Sequence, residues 1–251
     1  MRIPIRLPIL LCLAWACAQP VLAQGPDSGG ASQPWMQFEK ELGLQTTYSV
    51  DMVMEVMGMT MNSRTVRSGG KTRTEMTMPF MNLKMVGLEI PQGDQTVSYA
   101  LFPDKKKYVV NDEDPQIRAA TAAAKASAKA NPPQIEELGT ETYEGEACTK
   151  RRVTMVQQGV RSEMIMLFSP KQKNMPVKMT MNATVPTTPG QPGMPIQSII
   201  LFKNYDFSTP ADSLFSIPAD YVKAASMQQI MMEGMDLGAM MQQMQQLQPK
   251  E

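Results

Sequence analysis

Histidine is absent from the 251-residue sequence. Imidazole is the usual base of Ser-His-Asp and Cys-His enzymes and the commonest metal ligand, so its absence excludes most hydrolase and zinc-site chemistry. An excess of charge is also missing, because 24 Lys and Arg balance 24 Asp and Glu. A nucleic-acid-binding domain would carry a basic excess. We therefore predict that the protein is not an enzyme and has neither a cofactor nor a nucleic-acid partner.

The first 23 residues have the pattern of a secretory signal peptide. Arg2 and Arg6 precede an apolar run over residues 9–18, and the small residue Ala23 suits cleavage. The run is about half as long as a transmembrane helix, and no later segment is long and apolar enough to be one. We expect a soluble exported protein, periplasmic or secreted after cleavage near Ala23. An alternative is a lipoprotein anchored at Cys17, because the residues before it resemble a bacterial lipobox.

Cysteine is scarce, since only Cys148 of the three cysteines lies outside the predicted signal peptide. A single cysteine cannot form an internal disulfide, so the core must be stabilised by burial of apolar side chains. Lys150, Arg151 and Arg152 could lower the pKa of the thiol. Without a histidine to activate it, we interpret Cys148 as a small buried hydrophobe rather than a nucleophile.

Alternation of apolar and polar residues predicts a mainly β protein of the α+β class. It runs through residues 48–56, 74–80, 97–101 and 177–185, as in strands with one buried face. Residues 163–168 and 196–207 are apolar on both faces over part of their length, which is typical of strands covered on both sides. Short turns rich in Gly and Pro make the neighbours antiparallel. We expect roughly nine or ten strands in a large curled antiparallel sheet or unclosed β-barrel.

Three segments depart from the strand pattern. Asp114 as cap, Pro115 in the first turn and a run of alanines predict one short covering helix at about residues 113–130. Residues 186–195, rich in Pro and Gly, predict a flexible loop. The C-terminal Met/Gln-rich tail, residues 224–251, has helical spacing, and its glycines make it a marginal helix or disordered. The predicted organisation is a signal peptide (1–23), a flexible leader (24–39), a β domain (40–223) and the tail.

Four segments together resemble a known family. They are Gly70–Arg73, Leu101–Tyr108, Leu138–Lys150 and Leu214–Tyr221. In this order they look like exported bacterial proteins of the LolA/LolB-like superfamily, which includes the outer-membrane lipoprotein carriers. The resemblance covers about residues 40–223. It implies an unclosed antiparallel barrel over short helices, with an apolar cavity that in the carriers receives acyl chains of lipoproteins.

Methionine is abundant, with 25 residues. Many follow the period of two on the predicted strands, where they would either pack a core or form a soft, adaptable wall for an apolar ligand. The second interpretation predicts a Met-lined half-barrel that holds a lipid or a lipoprotein acyl chain. Its candidate lining residues are Met52, Met54, Met76, Met78, Met164, Met166, Met179 and Met181.

Three alternatives stay open. Met57, Met59 and Met61 lie within five residues, and thioethers select Cu(I), so a Met-rich Cu(I)-binding protein is one of them. An envelope protein without a small ligand is the second. A third possibility is that residues 224–247 bind an envelope-protein partner through their helical seam of methionines.

Overall fold

The computed structural model describes residues 39–56, 58–78, 83–93, 95–157, 160–185 and 194–233. The predicted signal peptide, nearly all of the leader, most of the Pro/Gly-rich loop and the tail after residue 233 lie outside these described residues. Met57 also lies outside them. Within the described part of the chain, no helix combines the length and the apolar character needed to cross a membrane.

The described residues contain twelve strands and three α-helices. The strands are β1 (Tyr48–Val56), β2 (Met59–Ser68), β3 (Lys71–Met78), β4 (Leu83–Gln92), β5 (Gln95–Phe102), β6 (Lys107–Val110), β7 (Gln134–Tyr143), β8 (Glu146–Gln157), β9 (Val160–Ser169), β10 (Met175–Val185), β11 (Met194–Asp206) and β12 (Val222–Lys223). The helices are α1 (Glu39–Leu42), α2 (Pro115–Ala130) and α3 (Met227–Met232). Short 3-10 helices occupy Pro103–Lys105, Asn111–Glu113, Pro170–Gln172 and Asp212–Phe215.

All twelve strands belong to one sheet, in the order β12-β6-β5-β4-β3-β2-β1-β11-β10-β9-β8-β7. Two antiparallel meanders, β1 to β6 and β7 to β11, join where β1 pairs with β11. Among the described strands, only β12 runs parallel to its neighbour, β6. The edge strands β7 and β12 are not paired with each other in the described residues, so the sheet curls without closing. The predicted fold class is confirmed, although the sheet has more strands than the nine or ten expected.

Alternation and turn chemistry explain these strands. The segments predicted from alternation fall in β1, β3, β5 and β10. The two segments that are apolar on both faces fall in β9 and β11. In β9, Met166 and Leu167 point to opposite faces and are both buried, as expected for a strand covered on both sides. Gly69 and Gly70 both have positive φ in the β2–β3 turn. The tightest hairpin turns require that conformation, and glycine adopts it without strain.

The predicted helix is α2, which begins at Pro115 and packs against β8. The carboxylate of Asp114 accepts a hydrogen bond from the backbone N–H of Ile117 at 3.4 Å. This contact caps the first turn, as the sequence predicted. The observed helix differs from the predicted bounds of 113–130 only at its first residues, which form the preceding 3-10 helix and Asp114.

The first part of the predicted tail belongs to the domain. Ala224 and Ile230 are buried with Phe102 and Val109 in one apolar cluster. Ser226 caps α3, and Lys107 binds the carboxylate of Glu233 at 2.5 Å. The prediction of a tail outside the domain therefore does not hold for residues 224–233. Burial of Ile230, which a local helical pattern cannot reveal, removes this side chain from the surface predicted to bind an envelope-protein partner.

Candidate functional site

One face of the sheet carries a continuous row of apolar side chains, because directly opposed residues of neighbouring antiparallel strands share a face. Met166 lies opposite Met179, and Met179 lies opposite Ile200. Ile200 in turn lies opposite Met54, and Met54 opposite Met61. The row crosses β9, β10, β11, β1 and β2 without a polar residue. We call this side of the sheet the methionine face.

Burial of the methionine face falls from β9 towards β2. Met164, Met166 and Met179 have 0% exposure and pack in the largest apolar cluster. Leu42 and Leu44, from α1 and the residues after it, belong to the same cluster. Met164, Met166 and Met179 are therefore part of the close-packed core.

The methionine face is more open across β1 to β4. Five half-buried methionines lie there, and we call them the open methionines: Met54, Met59, Met61, Met76 and Met85. Met76 lies opposite both Ser63 in β2 and Met85 in β4. The open methionines thus continue the buried row onto strands where apolar surface is accessible.

The structure brings together most of the residues predicted to line a cavity. The register places on the methionine face Met52, Met54, Met76, Met164, Met166, Met179 and Met181. The backbone of Met78 pairs with Leu83, and its side chain lies outside the described residues. Five of the eight are buried core residues, namely Met52, Met164, Met166, Met179 and Met181. A role in lining a ligand cavity stays a prediction for all eight.

The methionine face carries polar groups at the end of β1 and β2 that lies away from their hairpin. Tyr48 lies opposite Arg67, and Arg67 binds the carboxylate of Glu39 in α1. The side chains of Arg67 and Glu39 are only 13% and 15% exposed. Burial raises the pKa of Glu39 and of the Tyr48 phenol, and it outweighs the opposing effect of Arg67 in both cases. The ion pair ties α1 to β2 and so holds Leu42 in the core.

Cys148 lies at a cavity of about 420 Å³ near one end of the sheet. Its side chain is 1% exposed, and burial raises the pKa of its thiol, with the charges of Glu146 and Glu141 adding to the rise. The predicted burial of Cys148 is therefore confirmed. Glu146, at the same cavity, accepts hydrogen bonds from Ser169 Oγ at 2.8 Å and from the backbone N–H of Lys171 at 3.1 Å.

A second cavity, of about 240 Å³, lies at the β1–β2 hairpin. Met59 lines it together with Glu55, Val56 and Gly58. Of the residues that we predicted from sequence as copper ligands, Met59 and Met61 are on the methionine face, and Met57 is outside the described residues.

Sequence reasoning missed two parts of this arrangement. Met85 joins the open methionines through its pairing with Met76, and Ile200 connects the methionines of β10 to those of β1. The period of two in residues 83–90 is masked by apolar residues on both faces, so alternation alone could not select Met85. Ile200 was missed because only strand pairing places it between two methionines.

Comparison with known proteins gives matches among solved structures only: no protein-family model and no curated protein sequence matches this chain. The chain is similar to the lipoprotein LppX of Mycobacterium tuberculosis, with 11% identity, a TM-score of 0.40, and coverage of 70% of this chain and 96% of LppX. It is similar to MucB, solved in complex with MucA(peri), with 15% identity, a TM-score of 0.39, and coverage of 76% of this chain and 62% of MucB.

A third similar structure is an outer-membrane lipoprotein-sorting protein domain from Vibrio parahaemolyticus. It has 11% identity and a TM-score of 0.33, and the match covers 72% of this chain and 94% of that domain. What these proteins sort or bind is a property of those proteins.

Proposed function

We propose that this protein is an exported binding protein without catalytic activity, and that it holds a lipid or a lipoprotein acyl chain on its open methionines. The observation that carries the proposal is the continuity of the methionine face. The row from Met166 to Met61 passes from fully buried to half-buried side chains without a polar interruption.

An acyl chain matches this surface chemically. Each methylene that leaves water contributes about 0.8 kcal/mol, so a long chain gains affinity from apolar contact alone. Methionine has an unbranched, polarizable side chain that adapts to ligands of different shape. The half-buried state of Met54, Met61 and Met76 leaves apolar surface that a bound chain would cover.

A fluorescent fatty acid tests the proposal through two adjacent substitutions. Met61 lies on the methionine face, whereas its neighbour Asn62 is exposed and lies opposite Val53 on the other face. We expect Met61→Lys to weaken binding by about tenfold or more, because an acyl chain would have to desolvate the ammonium group. Asn62→Lys adds the same charge away from the proposed surface and should leave binding unchanged.

Thermal unfolding of both variants checks that they fold. Absence of fatty-acid binding by the folded wild-type protein would refute the proposal. Equal binding by Met61→Lys and wild type would show that the ligand lies elsewhere.

Export is the second part of the proposal, and the N-terminal pattern of residues 1–23 supports it. We expect the protein recovered from the envelope or medium of a bacterial host to begin at Gln24. A lipid-modified cysteine at position 17 would instead favour the lipoprotein alternative.

A further inference from the structure

We propose that Met54, Met59 and Met61 form a Cu(I)-binding site at the β1–β2 hairpin. The site goes beyond the proposed function, because it requires the sulfur atoms of these side chains and not only their apolar character. Lipid binding and copper binding can therefore be separated by substitution.

Strand register brings the three thioethers to one place. Met54 lies directly opposite Met61, and the Cβ atoms of such pairs are about 5 Å apart. Met59 precedes Met61 by two residues on the same strand and face, at a spacing of about 7 Å. Methionine has three rotatable bonds, so sulfur atoms starting from these positions can turn towards a common point.

The proposed donor set includes a methionine that spacing along the sequence does not select. Met57, Met59 and Met61 are close along the chain, but β2 supplies only Met59 and Met61 of the proposed site. Met54 comes from the partner strand, because the turn after Val56 folds β1 back along β2. Gly58 in this turn has a φ of +77°, a left-handed conformation that glycine adopts at little cost.

The chemistry of the donors selects the metal. Thioethers are soft, neutral ligands that favour Cu(I) over the divalent ions bound by imidazole or carboxylate. The sequence has no histidine to attract Cu(II) or Zn²⁺. Among the described residues, no cluster of three or more Cys, Asp or Glu side chains could hold a metal ion. A thioether carries no proton at neutral or mildly acid pH, so Cu(I) affinity should change little between about pH 5 and 7.

The three side chains are also accessible to an ion. All three are half-buried, unlike Met164, Met166 and Met179, which are fully enclosed. Met59 lines the cavity of about 240 Å³ at the hairpin.

Titration with Cu(I) against a chromogenic chelator tests the site. Replacing all three methionines by leucine removes the sulfur atoms and nearly conserves side-chain size. We expect this variant to lose about tenfold or more in Cu(I) affinity. The matched control is the Met76→Leu/Met85→Leu protein, which loses two open methionines outside the site and should bind Cu(I) like wild type. All three proteins retain Cys148, so a loss confined to the triple variant cannot come from the thiol.

Four outcomes would overturn the site. They are wild-type Cu(I) affinity no tighter than weak micromolar, unchanged affinity in the triple variant, an equal loss in the control, and a steep loss of affinity from pH 7 to pH 5. Fatty-acid binding is measured on the same proteins. Copper binding by a wild-type protein that does not bind the fatty acid would support the site and refute the lipid proposal, and fatty-acid binding without copper binding would do the opposite. Failure of the copper site and failure of the lipid proposal therefore give different results.

Discussion

Arg67 in β2 binds the carboxylate of Glu39 in α1, and both side chains are largely buried. The pair spans the junction between the start of the described chain and the sheet. Removing one partner of a buried ion pair leaves the other charge desolvated without compensation. Loss of one partner should therefore destabilise the protein more than loss of one partner of an exposed ion pair.

We predict that Glu39→Gln lowers the free energy of unfolding by about 2–4 kcal/mol, because the Arg67 guanidinium stays buried without its counter-ion. Denaturant unfolding at neutral pH measures the change. Glu41→Gln is the control, since Glu41 lies in the same helix and its side chain is exposed. A change below about 0.5 kcal/mol for Glu39→Gln, as is usual for exposed sites, would contradict the role of the ion pair.

Truncation of a methionine to alanine should destabilise the protein more in the buried part of the methionine face than among the open methionines. Met166 is fully buried, so Met166→Ala should cost about 2–5 kcal/mol through lost transfer energy and the cavity left behind. Met166→Leu nearly conserves volume and should cost less than about 1.5 kcal/mol. Met61→Ala, at a half-buried position, should cost clearly less than Met166→Ala. Denaturant unfolding measures the loss of stability in each variant. An equal loss for Met61→Ala and Met166→Ala would contradict the greater exposure of the open methionines.

Ile230 tests whether residues 224–233 belong to the domain. Its side chain has 0% exposure and packs with Phe102 and Val109. Ile230→Ala should therefore destabilise the whole domain by about 2–5 kcal/mol in a single unfolding transition. Gln228→Ala, at an exposed position of the same helix, should change stability little. Wild-type stability of Ile230→Ala would place this segment outside the core after all.

Stability should fall in acid through Glu146. The backbone N–H of Lys171 and the hydroxyl of Ser169 donate to its carboxylate and hold the pKa of Glu146 below its ordinary value of 4.5. A pKa lowered by folding stabilises the protein above the unfolded-state pKa, and this contribution is lost as pH falls through the folded-state pKa. We expect wild-type stability to be constant around pH 6 and to fall below about pH 4.5.

Glu146→Gln should make the free energy of unfolding fall less steeply with decreasing pH, because it removes the titrating group. Unfolding curves from pH 6 to pH 3 measure the slope. Glu55→Gln, at an exposed position of β1, is the comparison and should keep the wild-type slope. An identical slope for Glu146→Gln would mean that other carboxylates account for the acid sensitivity.

Local sequence patterns predicted the fold class correctly. Alternation located β1, β3, β5 and β10, and the cap at Asp114 located α2 within two residues. These features depend on residues close together in sequence, so a local pattern contains the information. The number of strands was underestimated because short or doubly apolar strands, such as β6 and β4, lack a clear period of two.

The sequence by itself determined which face is apolar in the strands with a clear period of two, the absence of histidine chemistry and the concentration of thioether groups. Only the tertiary structure decided which strands are neighbours. Pairing of β1 with both β2 and β11 sets Met54 between Met61 and Ile200, and it separates buried methionines from open ones. Strand pairing depends on hydrogen bonds and packing between segments far apart in the chain. For that reason, a methionine of the core and a methionine of the candidate site look the same in sequence.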